Sequence, residues 1–126
     1  MIKDIPDWKF AIEEAKRELN LEGKSITDFE TACKIIGKAM ELLLISKNQK
    51  YGKGNILNAK DFGMSPIQGT ALRMNDKFER MKNGLRGINL GKEGFIESAG
   101  DLIGYNAIII MLELGWYELP IQDQEK

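Results

Sequence analysis

Residues 97–115, ESAGDLIGYNAIIIMLELG, constrain this chain more than any other stretch. The run reads as a helix of about five turns, apolar on almost every side. It stops at Gly115, a residue suited to a left-handed C-cap. Such a helix has to be covered by other elements, which directs the chain toward a helical core. Glu97 and Asp101 nevertheless stand one turn apart near its start. Carboxylates enter surroundings of this kind when they are paired or bound to a metal. A metal or nucleotide site inside a helical bundle accounts for both observations.

The rest of the chain supplies the covering helices. Pro6 and Asp7 precede WKFAIEEAKREL, where Ala11, Ile12, Ala15 and Leu19 recur at helical spacing, so Asp7 is the expected N-cap of a first helix that ends between Asn20 and Gly23. Thr27 followed by Glu30 has the pattern of a capping box and opens a second helix, with a buried stripe expected at Phe29, Cys33, Ile36, Met40, Leu43 and Leu44. Gly52 and Gly54 break it. Residues 47–65 are rich in Gly, Asn and Lys, show no sustained period, and read as a long loop. Ser65 and Pro66 then start a third helix through about Asn83, with Ile67, Ala71, Met74, Phe78 and Met81 as its apolar face. A second glycine-rich connection, GLRGINLGKEG, leads into the fourth helix. After it, Trp116, Tyr117, Leu119 and Pro120 are expected to pack against the bundle, and residues 121–126 to fray. The expected fold is all-α: one four-helix bundle-like domain over residues 1–126 with two longer Gly-rich loops, assembled as an oligomer because the fourth helix is apolar around most of its circumference.

Composition narrows the chemistry. The sequence has no histidine, which removes histidine bases, triads and His-type zinc sites and leaves carboxylates, Lys, Tyr and backbone. A formal net charge of -1 argues against bulk nucleic-acid binding. The lone Cys33 excludes an internal disulfide framework, fits a reducing cytoplasm and is expected in the core. The N-terminus has no apolar signal region. No apolar run is read as reaching the roughly 18–20 residues of a membrane span, so no membrane partner is expected.

Two acidic pairs are the candidate catalytic and metal-binding residues. Asp76 and Glu79 lie three apart on the third helix, and Glu97 and Asp101 four apart on the fourth. Antiparallel packing of these helices would gather four carboxylates into a nest for Mg²⁺, which takes hard oxygen ligands and phosphates. Asp76 and Glu79 equally fit a solvated face, with Asp76 paired to Arg80, and Glu97 fits a helix N-terminus, whereas Gly104, Tyr105, Ile108 and Leu112 continue an apolar surface on the side of Asp101 and leave little room for a solvent-facing role there. Arg73, Lys77 and Arg80 share one side of the third helix at spacings suited to phosphate oxygens, or to an exposed soluble face. Lys47, Lys50 and Lys53 surround the loop glycines, where backbone amides can approach a phosphate, although the order of a P-loop is absent. Tyr51 is a candidate to stack on a base, or an ordinary packed loop aromatic.

Taken in order, Lys47-Asn48, Tyr51-Gly52, Asn55-Ile56, Gly63, Arg73, Asp76-Lys77, Arg80, Asn83, Glu97-Ser98, Asp101-Leu102 and Tyr105 resemble the phage-encoded nucleotide-modification-associated domain, type one. The resemblance spans roughly residues 47–120 and leaves the N-terminal helix, residues 1–24, outside. It implies an all-α phage or prophage protein of nucleotide metabolism or DNA modification, working in the cytoplasm of a bacterial host. A nucleotide or nucleotide-derived ligand would meet Lys47, Asn48, Tyr51, Gly52, Asn55, Arg73, Lys77, Arg80 and Tyr105. More loosely, the acidic pairs are similar to those of MazG-like all-α nucleoside triphosphate pyrophosphohydrolases, which hold Mg²⁺ with two acids on each of two helices. Here Asp76 stands where that pattern has Glu, and Glu97 and Asp101 are spaced by four rather than three. One residue turns a side chain by about 100° around a helix.

Three functions are therefore expected to compete. The first is a Mg²⁺-dependent hydrolase of (deoxy)nucleoside triphosphates. The second is a non-catalytic binder that sequesters nucleotide signals of bacterial defence. The third is an interaction subunit of a modification complex, in which the acids form structural salt bridges only.

Overall fold

The computed structural model describes residues 4–91 and 94–122. The chain is all-α, with no strand among the described residues. It divides into two compact units, one running to Lys50 and one spanning Tyr51–Gln122.

The first unit is built on α1, Trp8–Glu18, and α2, Phe29–Tyr51, whose last residue crosses the boundary. Asp7 caps α1 as the sequence indicates, its carboxylate accepting from Phe10 N–H at 2.8 Å. The chain leaves α1 through Asn20, which takes a left-handed φ of 61°. The cap of α2 differs from the expected one by a residue. Asp28, not Thr27, accepts from Thr31 N–H at 2.9 Å and from the Thr31 hydroxyl at 2.8 Å. A carboxylate one position closer to the helix outcompetes the threonine hydroxyl for the same amide.

The two helices run antiparallel. Ile5 N–H donates to Ser46 Oγ at 2.9 Å near one end, and Lys38 pairs with Glu18 at 3.5 Å toward the other. Ile5, Trp8, Ala11 and Ala15 pack on Ile35, Ala39 and Leu43. Ala11, Ala15 and Ala39 are completely covered, so small side chains are what bring the two backbones together. Burial of each larger member contributes roughly 1.5–3 kcal/mol. This seam corrects the stripe read from the sequence. Phe29 is 77% exposed, Cys33 and Ile36 are also exposed, and of the expected set Leu43 alone is fully buried, with Met40 and Leu44 partly so. Periodicity favoured the larger residues. Close helix approach instead selected the face that carries Ala39.

In the second unit the expected long loop is largely helical. After Gly52, at φ 72°, come a single turn, α3, Gly54–Leu57, and a 3₁₀ segment, Asn58–Phe62, closed by Gly63 at φ 77°. Segments of one turn have no period to read, so composition alone describes them as loop. Ser65 then caps α4, Pro66–Leu85, in a reciprocal capping box: Gln68 N–H donates to Ser65 Oγ at 3.0 Å, and Ser65 N–H donates to Gln68 Oε1 at 2.9 Å. The expected start is borne out, with Gln68 as the unrecognised second half of the cap.

Helix α5, Phe95–Leu114, packs against α4 as its antiparallel neighbour. A Cβ at Gly84 would stand 2.9 Å from the Phe95 ring, which fixes the close turn between them. The connection between these helices includes residues 92 and 93, outside the described residues, as are residues 123–126 of the expected frayed tail. The packing on α4 is lighter than its apolar pattern indicates: Thr70 is its one fully buried residue, Ile67, Met74 and Met81 are partly covered, and Ala71 and Phe78 are exposed. Helix α5 ends at Gly115, φ 77°, as expected. Beyond it Tyr117 is buried, whereas Trp116, Leu119 and Pro120 are exposed, so one residue of that group packs as read.

By length and a mean hydropathy of 1.4, α5 is long and apolar enough to cross a membrane, which corrects the expectation that no run qualifies. It packs on α4, with the Lys77–Asp101 pair between the two helices, and 28% of the qualifying stretch is buried within the structure.

Candidate functional site

The candidate residues fall into both units. Lys47 and Asn48 belong to the first, in the last turns of α2, where Lys47 is exposed and Asn48 donates from its side chain to the Leu44 carbonyl at 3.1 Å. Tyr51, Gly52, Asn55, Arg73, Asp76, Lys77, Glu79, Arg80, Glu97, Asp101 and Tyr105 belong to the second.

Within the second unit, Arg73, Lys77 and Arg80 of α4 each meet an acceptor on another segment of that unit. Arg73 Nη2 donates to the Asn55 carbonyl at 2.9 Å, fastening α4 to the turn of α3. One turn on, Lys77 Nζ stands 3.0 Å from Asp101 Oδ2. Further along, Arg80 Nη2 donates to the Leu90 carbonyl at 3.3 Å. The side of α4 that spacing marks for phosphate oxygens thus also ties α4 to three other segments. Arg73 stays exposed, and a guanidinium has five N–H donors, so its bond to Asn55 leaves donors for a ligand.

The carboxylates are dispersed. Asp76 is exposed. Glu79 is an exposed partner of Lys82 at 3.1 Å, an i,i+3 pair on the surface of α4. Glu97 is buried in the first turn of α5, where the helix dipole favours an anion. Asp101 is committed to Lys77. Among the described residues no group of three or more carboxylates or thiols is placed to hold a metal ion. The four-oxygen nest expected from the two acidic pairs is therefore not assembled among the described residues. The physical reason is the register: antiparallel packing brings Asp101 opposite Lys77 rather than opposite the acids flanking it in the sequence, and a lysine neutralises the carboxylate without a metal.

Exposed residues that offer ligand contacts gather at the start of the second unit. Tyr51 is exposed at the end of α2, Gly52 follows in a left-handed conformation, and the exposed Asn55 shares its carbonyl with exposed Arg73. Tyr105 is half-buried on α5. Beside this group lies a feature that sequence reasoning missed. Lys53 Nζ donates to the Leu119 carbonyl at 2.7 Å and sits 5.6 Å from the centre of the Tyr117 ring, a cation–π contact. Burial pushes the Tyr117 hydroxyl above its ordinary range, while the Arg73 charge opposes the shift. Nothing in the local sequence signals this clasp, because 66 residues separate Lys53 from Leu119.

The chain matches no known protein family, no curated protein and no solved structure.

Proposed function

We propose that this protein binds a nucleotide-type ligand without breaking it down. The observation that carries the reading is the Lys77–Asp101 pair, which turns one expected metal ligand and one expected phosphate ligand onto each other. A Mg²⁺ site of the kind expected from two acidic pairs gathers carboxylates from both helices, and the placement of Asp76, Glu79, Glu97 and Asp101 does not favour it. Binding without turnover needs less: cationic donors, backbone approach and an aromatic face. Arg73 with Asn55, Gly52 and Tyr51 supplies those, with Arg73 on a phosphate and Tyr51 against a base. The motif order that resembles the phage nucleotide-modification-associated domain supports a nucleotide as the ligand and the cytoplasm of an infected bacterium as the setting, where such a binder would sequester a nucleotide signal.

Calorimetry tests this with a panel of nucleoside mono- and triphosphates, cyclic dinucleotides and ADP-ribose-type compounds. The expected result is binding that persists in EDTA, with the ligand recovered intact after denaturation. Arg73→Ala should weaken that binding by about tenfold or more, the loss of a charge-assisted hydrogen bond. Mg²⁺-dependent conversion of any compound in the panel would overturn the reading.

The tethering of Arg73, Lys77 and Arg80 by their own unit favours a second reading, an interaction subunit whose charged residues are structural. Absence of binding across the panel, with unfolding of Asp101→Ala, would support it instead.

A further inference from the structure

The turn of α3, helix α4 and the chain after α5 meet around Tyr117, and two cations hold them there. Lys53, which precedes α3, donates from Nζ to the Leu119 carbonyl at 2.7 Å and sits 5.6 Å from the centre of the Tyr117 ring. Two residues along the same turn, the Asn55 carbonyl accepts from Arg73 Nη2 at 2.9 Å. The Arg73 charge also reaches the Tyr117 hydroxyl, where it opposes the rise that burial imposes. Lys53 and Arg73 are thus fastened to one short turn, and both act on one buried tyrosine.

The acceptors set these two cations apart from others on α4. Lys77 faces Asp101 and Lys82 faces Glu79, so a carboxylate answers each of those charges. Lys53 and Arg73 are held by main-chain carbonyls, which orient a cation and leave its charge uncompensated. Among the described residues neither has a carboxylate within ion-pair distance: Asp76, three residues from Arg73, and Glu118, beside Tyr117, are exposed and pair with neither. An ammonium has three donors and a guanidinium five, so each side chain keeps donors after its bond to a carbonyl. Both are also ordered before any ligand arrives, which lowers the entropic cost of binding one. Two fixed positive charges attract an anion with two negative charges more strongly than an anion with one. A phosphate monoester carries about two near neutral pH, and a phosphodiester has lost one of them to its second ester bond.

We infer that Lys53 and Arg73 together form a phosphate subsite next to Tyr117, and that it takes the terminal phosphate monoester of a nucleotide in preference to a phosphodiester. The inference rests on the nucleotide-binding reading above and adds to it a second phosphate-binding residue, Lys53, and the charge of the group bound.

Calorimetry of the full chain with methyl phosphate and dimethyl phosphate at about pH 8, where the monoester is fully ionised, tests the subsite apart from any nucleotide. Methyl phosphate is expected to bind, and dimethyl phosphate to bind about tenfold more weakly. Lys53→Gln should weaken methyl phosphate binding by about tenfold, and Lys53→Arg, which keeps the charge, should retain most of it. Lys60→Gln, at an exposed lysine of the neighbouring 3₁₀ segment, should leave binding unchanged. The comparison of the two esters on the wild type decides the charge preference whatever Lys53→Gln does to the fold. No heat with methyl phosphate up to millimolar concentrations, equal binding of the two esters, or equal losses in Lys53→Gln and Lys60→Gln would overturn the subsite. Nucleotides that bind the wild type and Lys53→Gln alike would also overturn it while the nucleotide-binding reading stands. Methyl phosphate held through Lys53, with no nucleotide bound, would support the subsite and overturn that reading.

Discussion

Lys77 Nζ and Asp101 Oδ2 meet at 3.0 Å between α4 and α5, with both side chains 20% exposed. The pair is sheltered enough that removing one partner takes a salt bridge from a partly buried charge. Asp101→Ala and Lys77→Ala should each lower unfolding free energy by about 1–3 kcal/mol, between the values of surface and fully buried pairs. Joint replacement with Leu and Met should recover much of that loss. Urea denaturation of the four proteins checks the point; single variants as stable as wild type would show that the pair contributes nothing to the fold.

Two helical glycines should answer the same substitution with opposite signs. At Gly37 in α2 an added Cβ meets nothing within 4 Å, so Gly37→Ala gains helix propensity and should stabilise by roughly 0.5–1 kcal/mol. At Gly69 in α4 a Cβ would stand 2.7 Å from the Ala59 Cβ, which cannot rotate away. Overpacking costs about 1–3 kcal/mol and outweighs the propensity gain, so Gly69→Ala should destabilise. Thermal melts of the two variants distinguish the cases.

The cap of α2 predicts an acid-sensitive term. Hydrogen bonds from the Thr31 amide and hydroxyl hold the Asp28 carboxyl below its ordinary value. The folded state therefore binds that proton less readily than the unfolded chain does. Its contribution is complete above the ordinary carboxylate range and is lost as pH falls through the lowered folded value. Asp28→Ala should reduce stability at neutral pH and narrow its gap to wild type in acid. A gap constant with pH, in denaturation midpoints measured across the acidic range, would contradict this.

Tyr117 predicts the opposite limb. Burial raises its hydroxyl above the ordinary tyrosine value, with Arg73 in opposition, so the unfolded chain ionises first as pH increases. Stability from this group is intact below the ordinary tyrosine range and is lost as pH rises toward the folded value. Tyr117→Phe should flatten the alkaline decline, as read from melting temperatures on either side of about pH 10.

A substitution at the start of α4 tests the capping box. Ser65→Ala removes the acceptor for Gln68 N–H and should cost about 1 kcal/mol, with Gln68→Ala costing less because water can replace its bond to the exposed Ser65 amide. Equal losses would mean that the two halves act as a unit.

Local chemistry was enough to place Asp7 and Ser65 at helix starts and Gly115 at a helix end, because a cap is decided by residues within one turn of each other. The same is true of the all-α class, which follows from helical periodicity and from the absence of any strand pattern. The faces that touch were decided by the tertiary structure. Ala39, not Ile36 or Cys33, lies in the seam of α2, since the approach of α1 rewards small side chains that a hydrophobicity pattern undervalues. Lys77, read as a phosphate ligand, and Asp101, read as a metal ligand, became partners because antiparallel packing sets their relative height on α4 and α5, and no spacing within either helix contains that offset. The sequence by itself determined where α1, α4 and α5 start or stop; only the packed structure decided which residues are buried and which charges face one another, because both depend on contacts between helices.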